Sequence, residues 1–153
     1  MKNSEEKPDS KIEFRTESEG EVYVETLWAT KLSDNTYKLD NSPFYAYNVS
    51  WEDIIEAASE GVDSFPVFKR VIKKSGNKTV RIIFDSPLAE RNPLDKRMEK
   101  LTKLGCTFEG ANPKYIALNI PPNVELNKVK KILIESKVEW EHADPSYSQL
   151  YSE

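Results

Sequence analysis

The chain has 153 residues, 38% hydrophobic and 31% charged, with a formal net charge of −4. That length suits one ordinary domain or two small modules leaning on each other, and no apolar run approaches the roughly 18 residues needed to cross a bilayer, which excludes membrane insertion. One cysteine, Cys106, forbids an internal disulfide, and one histidine, His142, excludes zinc sites of clustered Cys and His ligands.

The charge is unevenly spread. Residues 1–64 hold 15 acids and 6 bases, and residues 65–105 hold 4 acids and 11 bases. From Ile132 onward Glu135, Glu139, Glu141, Asp144 and Glu153 stand against Lys137. Such asymmetry shapes which partners approach and how fast. The opening MKNSEEKPDSK mixes both signs without an apolar core, so residues 1–10 read as a disordered tail of a cytoplasmic protein, not as a secretory signal.

Taken in order, residues 11–16 (KIEFRT) alternate as a first strand, with Ser18, Glu19 and Gly20 as the turn after it. Residues 22–47 then read as a hairpin followed by an aromatic turn. Val22, Val24 and Thr26 share one face of its first strand, and Tyr23, Glu25 and Leu27 share the other. The Ser33–Asn35 segment turns the chain, and Pro43, Phe44 and Tyr45 close the stretch. Residues 50–60 admit two readings: a short helix capped by Ser50, or a tight turn and a strand over 53–58, the second preferred in a small all-β module. Residues 65–73 (FPVFKRVIK) and 79–84 (TVRIIF) read as strands around a turn at 74–78.

A second pattern starts at Thr79. Asn92, Pro93 and Asp95 mark a helix start, with Leu94, Met98, Leu101 and Leu104 on one face and Gly105 at its end. A strand at 106–109, a turn at 110–113 and a strand at 115–120 follow, stopped by Pro121 and Pro122. Asn123 caps a second helix that turns Leu126, Val129, Ile132 and Leu133 inward, and 137–142 (KVEWEH) form a last strand. The fold class is α+β. A small barrel-like antiparallel β module over 11–78 packs on a ferredoxin-like βαββαβ unit over 79–150, through the sheet face that the helices leave open. Arg81, Phe84, Tyr115 and Ala117 are the candidates to face outward from the central strands, where an RNA-binding sheet of this kind carries exposed aromatics.

No catalytic or metal-binding constellation emerges. Ser75 lacks the flanking glycines of a nucleophile elbow, Cys106 reads as a small buried residue, and Glu141, His142 and Asp144 sit at a strand end before Pro145. No cofactor is implied. Two binding surfaces remain. Glu25, Trp28, Asp40, Asn41, Phe44, Tyr45, Tyr47, Glu52 and Asp53 give an acidic, aromatic composition suited to a basic protein partner. Lys69, Arg70, Lys73, Lys74, Lys78 and Arg81 give a basic hairpin suited to phosphates, although the sequence pI of about 5.3 and the lack of an RNA-binding aromatic pattern weigh against nucleic acid.

The segments ETLWA (25–29), YKLDNSPFYAY (37–47), WEDII (51–55) and SGNKTVRIIF (75–84) resemble a bacterial family classed as a domain of unknown function. LGCTFEG and IPPNVEL also look like that family's helix-to-strand junction and second-helix entry. The resemblance implies a small non-secreted protein, in some members an immunity protein standing beside a toxin gene. Glu25, Trp28, Asp40, Asn41, Phe44, Ser75, Thr79 and Arg81 are the matching positions, serving either the fold or the contact surface. The expected role is a non-enzymatic inhibitor of a cognate, basic protein toxin, with a nucleic-acid or phosphate-binding module as the alternative.

Overall fold

Strand β1 (Ser10–Ser18) and strand β2 (Glu21–Ser33) pair as a long antiparallel ribbon, Ser10 opposite Ala29 and Ser18 opposite Glu21. Glu19 and Gly20 make the turn at φ 51° and 80°. Two successive positive φ values match the twist of the flanking strands, and glycine adopts one at no steric cost. The computed structural model describes residues 7–88 and 95–151.

Strands β3 (Thr36–Leu39), β4 (Ile54–Ala58) and β5 (Val67–Lys73) continue the meander, and a parallel bridge from Glu13 to Val67 closes the five strands into a barrel. Ile12, Phe14, Leu27, Ala29, Tyr37, Leu39, Ile55 and Ala57 fill it. They occupy alternate strand positions, and each large one contributes about 1.5–3 kcal/mol by leaving water. Residues 50–60 follow the turn-and-strand reading: Glu52 takes φ 69°, and Ile55 and Ala57 then point into the barrel. The ribbon outruns the barrel. β2 pairs with β3 only from Ala29 onward, so its outer half with β1 is a two-stranded arm that exposes Val22, Tyr23 and Val24.

The second layer comprises β6 (Lys78–Ile83), α1 (Lys96–Lys103), β7 (Thr107–Asn112), β8 (Tyr115–Ile120), α2 (Leu126–Ser136), β9 (Glu139–Asp144) and α3 (Tyr147–Tyr151). The strand order is β7-β8-β6-β9, all neighbours antiparallel. Val80, Ile82, Phe84, Ile116, Leu118 and Ile120 line the face that packs on Met98 and Leu101 of α1 and on Val129 and Leu133 of α2. Thr79, Arg81, Ala117 and Asn119 occupy the opposite face. Among the described residues no helix is long and apolar enough to cross a membrane.

Several expectations need correction. Phe84 belongs to the helix-covered core, because the period of two places it with Val80 and Ile82 rather than with Arg81. The described start of α1 is capped by Asp95, which accepts from the Arg97 N–H at 3.0 Å; Asn92, Pro93 and Leu94 lie outside the described residues. Asn123 does not cap α2. A turn from Pro121 O to Val124 N buries Val124 first, so the helix begins after Glu125. β7 runs on through Gly110 to Asn112 across a bulge, and Lys137, in the left-handed region at φ 56°, ends α2 instead of opening the last strand. That strand therefore lies at Glu139–Asp144, followed by the unanticipated α3.

Candidate functional site

The loop 43–47 is held by its main chain between two opposite charges. Glu25 sits on the β2 face shared with Tyr23 and Leu27. Its carboxylate accepts N–H bonds from Phe44 at 2.8 Å and from Tyr45 and Ala46 at 2.9 Å. From the other side Arg81, central in β6, donates to the carbonyls of Ala46 at 2.8 Å, Tyr45 at 3.2 Å and Pro43 at 3.3 Å, and to the Glu141 carboxylate at 2.9 Å. The Tyr115 hydroxyl donates to the Phe44 carbonyl. One segment thus turns N–H groups to an anion and carbonyls to a cation, which satisfies a backbone too irregular to satisfy itself.

Two further junctions tie barrel to sheet. The Glu109 carboxylate accepts from Asn41 Nδ2 at 2.8 Å and from the Ser42 N–H at 2.5 Å, while Asn41 Oδ1 accepts from the Trp28 N–H at 2.7 Å. Asp53 is fully buried and accepts from the Ser50 and Ser75 N–H groups and from Lys74 Nζ. Lys74 Nζ also reaches Asp144 at 2.6 Å, and Ser50 Oγ bonds both Asp144 and Thr79 Oγ1 at 2.6 Å. A register shift between Thr79 and Val80 lets Asp144 pair with Thr79 and His142 with Val80. The bulge turns Asp144 toward the barrel, whereas His142 faces the helix side.

Above the clamped loop lies a cleft of about 630 Å³, floored by Arg81 and Ile83 and walled by Tyr23, Tyr45, Tyr47 and Tyr115. Tyr23, from the arm, stacks on Tyr45 with ring centroids 5.1 Å apart, and both rings stay more than a third exposed, at 38% and 37%. The Arg81 guanidinium lies 4.6 Å from the Tyr47 ring centre, and the Tyr47 hydroxyl donates to Glu141 at 2.8 Å. Burial raises the Tyr47 pKa, with the Glu141 bond adding to it, and burial pushes Tyr115 up to about 12. Glu139 and Glu141 rim the cleft, and Glu17, Glu19 and Glu21 stand exposed along the arm; Glu139 has no ion pair among the described residues.

Of the acidic and aromatic residues singled out by sequence, Glu25, Phe44, Tyr45 and Tyr47 converge here, with Asn41 bracing the neighbouring junction. Trp28 lies on the outer barrel face under Lys11 Nζ at 4.7 Å, Asp40 accepts from Trp51 Nε1, and Glu52 pairs with Lys38; none of them lines the cleft. Asp53 is interior. Tyr23, Ile83, Tyr115, Glu139, Trp140 and Glu141 join the site from elements distant in sequence. Tyr23 had a signal, since it alternates onto the Glu25 face.

The basic hairpin is largely self-neutralised. Lys69 pairs with Glu60 at 2.7 Å, Arg70 with Glu56 at 2.6 Å, and Lys74 with Asp53 and Asp144. Arg81, 1% exposed under the loop 43–47, is not part of that surface. Lys73 and Lys78 have no ion pair among the described residues. Burial pushes the Cys106 thiol up to about 11. Among the described residues no group of three or more His, Cys, Asp or Glu side chains could hold a metal ion.

His142 is buried, with its Nδ1 unpartnered and Trp140 edge-on at 4.8 Å. Burial lowers its pKa below 6.5, and the Lys130 charge adds to the shift. The unfolded chain therefore binds this proton more readily than the folded one, so stability is complete above about pH 6.5 and falls as pH drops below it. The urea midpoint is expected to decline from about pH 7 to about pH 5.5, and His142→Phe to flatten that slope. Equal slopes in both proteins would contradict the assignment.

A crystal structure of a hypothetical protein from Neisseria gonorrhoeae superposes with a TM-score of 0.76 at 21% identity, covering 91% of this chain and 96% of that one. That likeness is one of fold. No curated protein matches the chain. A family profile described as a domain of unknown function, DUF4265, matches residues 25–143, a span running from the clamping Glu25 through the last strand, and the chain belongs to that family.

Proposed function

We propose that the protein is a non-enzymatic, cytoplasmic protein-binding inhibitor, an immunity protein that masks a cognate basic toxin domain, and that its C-terminal unit is ferredoxin-like. The observation that carries the functional reading is the stacked Tyr23–Tyr45 pair, both residues more than a third exposed, beside Glu139 and the exposed Glu17, Glu19 and Glu21 of the arm, with Lys114 as an exposed base in the cleft lining. Rigid aromatics anchor protein interfaces, and surrounding carboxylates speed and orient a basic partner. The ferredoxin-like reading is supported by the element order and by central strands β6 and β8. The self-pairing of Lys69, Arg70 and Lys74 favours protein over phosphate as the ligand.

The test compares the tagged chain with a Tyr23→Ala/Tyr45→Ala variant as bait in the source organism. Both substitutions leave the Tyr45 N–H on Glu25, so the melting temperature should hold. One protein is expected at one-to-one stoichiometry, held about a hundredfold less tightly by the variant, in line with hot-spot losses of about 2–4 kcal/mol. That protein should arrest growth when made alone and be relieved by co-expression of this chain. Equal binding to both baits, or nuclease-sensitive material with a steep salt dependence, would overturn the reading.

A further inference from the structure

Strand β9 ends its sheet. β6 lies on one side, and on the other no strand of the described residues pairs with 139–142. Only its far end is closed, where the Ala143 carbonyl accepts from the Asn48 N–H at 2.8 Å and Ala143 bridges Ser146. An open row of backbone donors and acceptors is a template for a strand from another chain.

This edge separates two clefts. Glu139 and Glu141 turn toward the tyrosine-walled cleft described above. Trp140 and His142 turn to the helix side, where a second cleft of about 920 Å³ opens between Lys130 of α2 and Tyr147 and Tyr151 of α3. Tyr47, Trp140 and Glu141 line both, so the clefts meet across β9. Side chains of an added strand alternate between faces, so successive residues would enter one cleft and then the other.

The two clefts ask for different chemistry. The first offers Glu139 on β9 itself, with no ion pair among the described residues, beside tyrosine faces; its cations stand off from that carboxylate, Arg81 being paired with Glu141 and Lys114 lying by β8, two strands away, so this edge suits an arginine or lysine held by charge and by cation–π contact. The second already holds a cation, Lys130 Nζ, 2.5 Å from the Tyr151 hydroxyl and 5.3 Å from its ring centre. That charge repels a second base, and the Tyr147, Tyr151 and Trp140 rings suit an apolar one. We infer that β9 binds an extended segment of its partner as a fifth strand, with basic residues alternating with apolar ones. The inference rests on the protein-binding reading and specifies its mode.

The test uses the intact chain and a synthetic peptide of about eight residues alternating arginine and valine, the length of an ordinary strand. Two more versions carry backbone N-methyl groups, one on every arginine and the other on every valine. Because alternate N–H groups of a strand point to the same side, one version should bind at least about tenfold more weakly than the parent and the other about equally. Amide exchange at 139–142 should slow in the complex. The inference falls if the parent binds more weakly than about 1 mM, if both methylated versions bind alike, or if those amides exchange at the free rate. The wider protein-binding reading fails separately, through undiminished partner recovery by the tyrosine variant.

Discussion

Replacing Arg81 with methionine is expected to lower the melting temperature by roughly 6–20 °C. The side chain is 1% exposed, and its guanidinium meets three loop carbonyls and the Glu141 carboxylate. Methionine fills much of the volume and supplies no donor, so the carbonyls of Pro43, Tyr45 and Ala46 lose their partners at once. Breaking a buried charge network from one side costs about 3–5 kcal/mol, and in a chain of this size each kcal/mol moves the midpoint by about 2–4 °C. Arg81→Lys should recover part of the loss, since a single ammonium cannot span carbonyls spread along the loop. Thermal unfolding followed by circular dichroism decides the matter. A shift within about 2 °C for methionine would show that the loop is held by something else.

Asp53→Ala is the second large effect. Its carboxylate is fully buried and accepts two backbone N–H groups and the Lys74 ammonium. Alanine orphans the Ser50 and Ser75 amides and leaves Lys74 to Asp144 and the Asn48 carbonyl. The expected loss is about 3–5 kcal/mol, a large share of the total stability of an ordinary domain. Asp53→Asn keeps one acceptor oxygen and should fall between alanine and the native protein. Urea unfolding reads the difference as a shift in midpoint at constant slope. An unchanged midpoint for alanine would mean that the junction contributes nothing to the fold.

The strands were legible because their cause is local. Alternation in 11–16 marks Ile12 and Phe14 as inward, and the barrel core follows it. The start of α2 was read from a plausible cap, and a tertiary contact moved it: burial of Val124 holds 121–124 in a turn, so Asn123 never reaches a capping position. The bridge from Glu13 to Val67 has no local signature at all.

The site divides the same way. Tyr45 and Tyr47 were visible as an aromatic cluster on a turn. The role of Glu25 was hidden, because its ligands are main-chain amides about twenty residues onward, and main chain leaves no trace in side-chain chemistry. Arg81 read as one more base in a basic run. Alternation with Val80 and Ile82 already placed it on the other face of a central strand, and only the loop packed over that face makes the position an interior one.

Main-chain anchoring of the loop 43–47 separates what is gripped from what is displayed. Glu25 and Arg81 hold amides and carbonyls that every residue at these positions carries in the same place, proline's missing amide aside. The ring of Tyr45 projects away from that grip, whereas Tyr47 takes part in it through Arg81 and Glu141. Exchanging the side chain at position 45 would therefore change the displayed surface while leaving the mount untouched, much as a socket accepts different bits. On the proposed protein-binding reading, specificity can be rewritten at position 45 without renegotiating the fold.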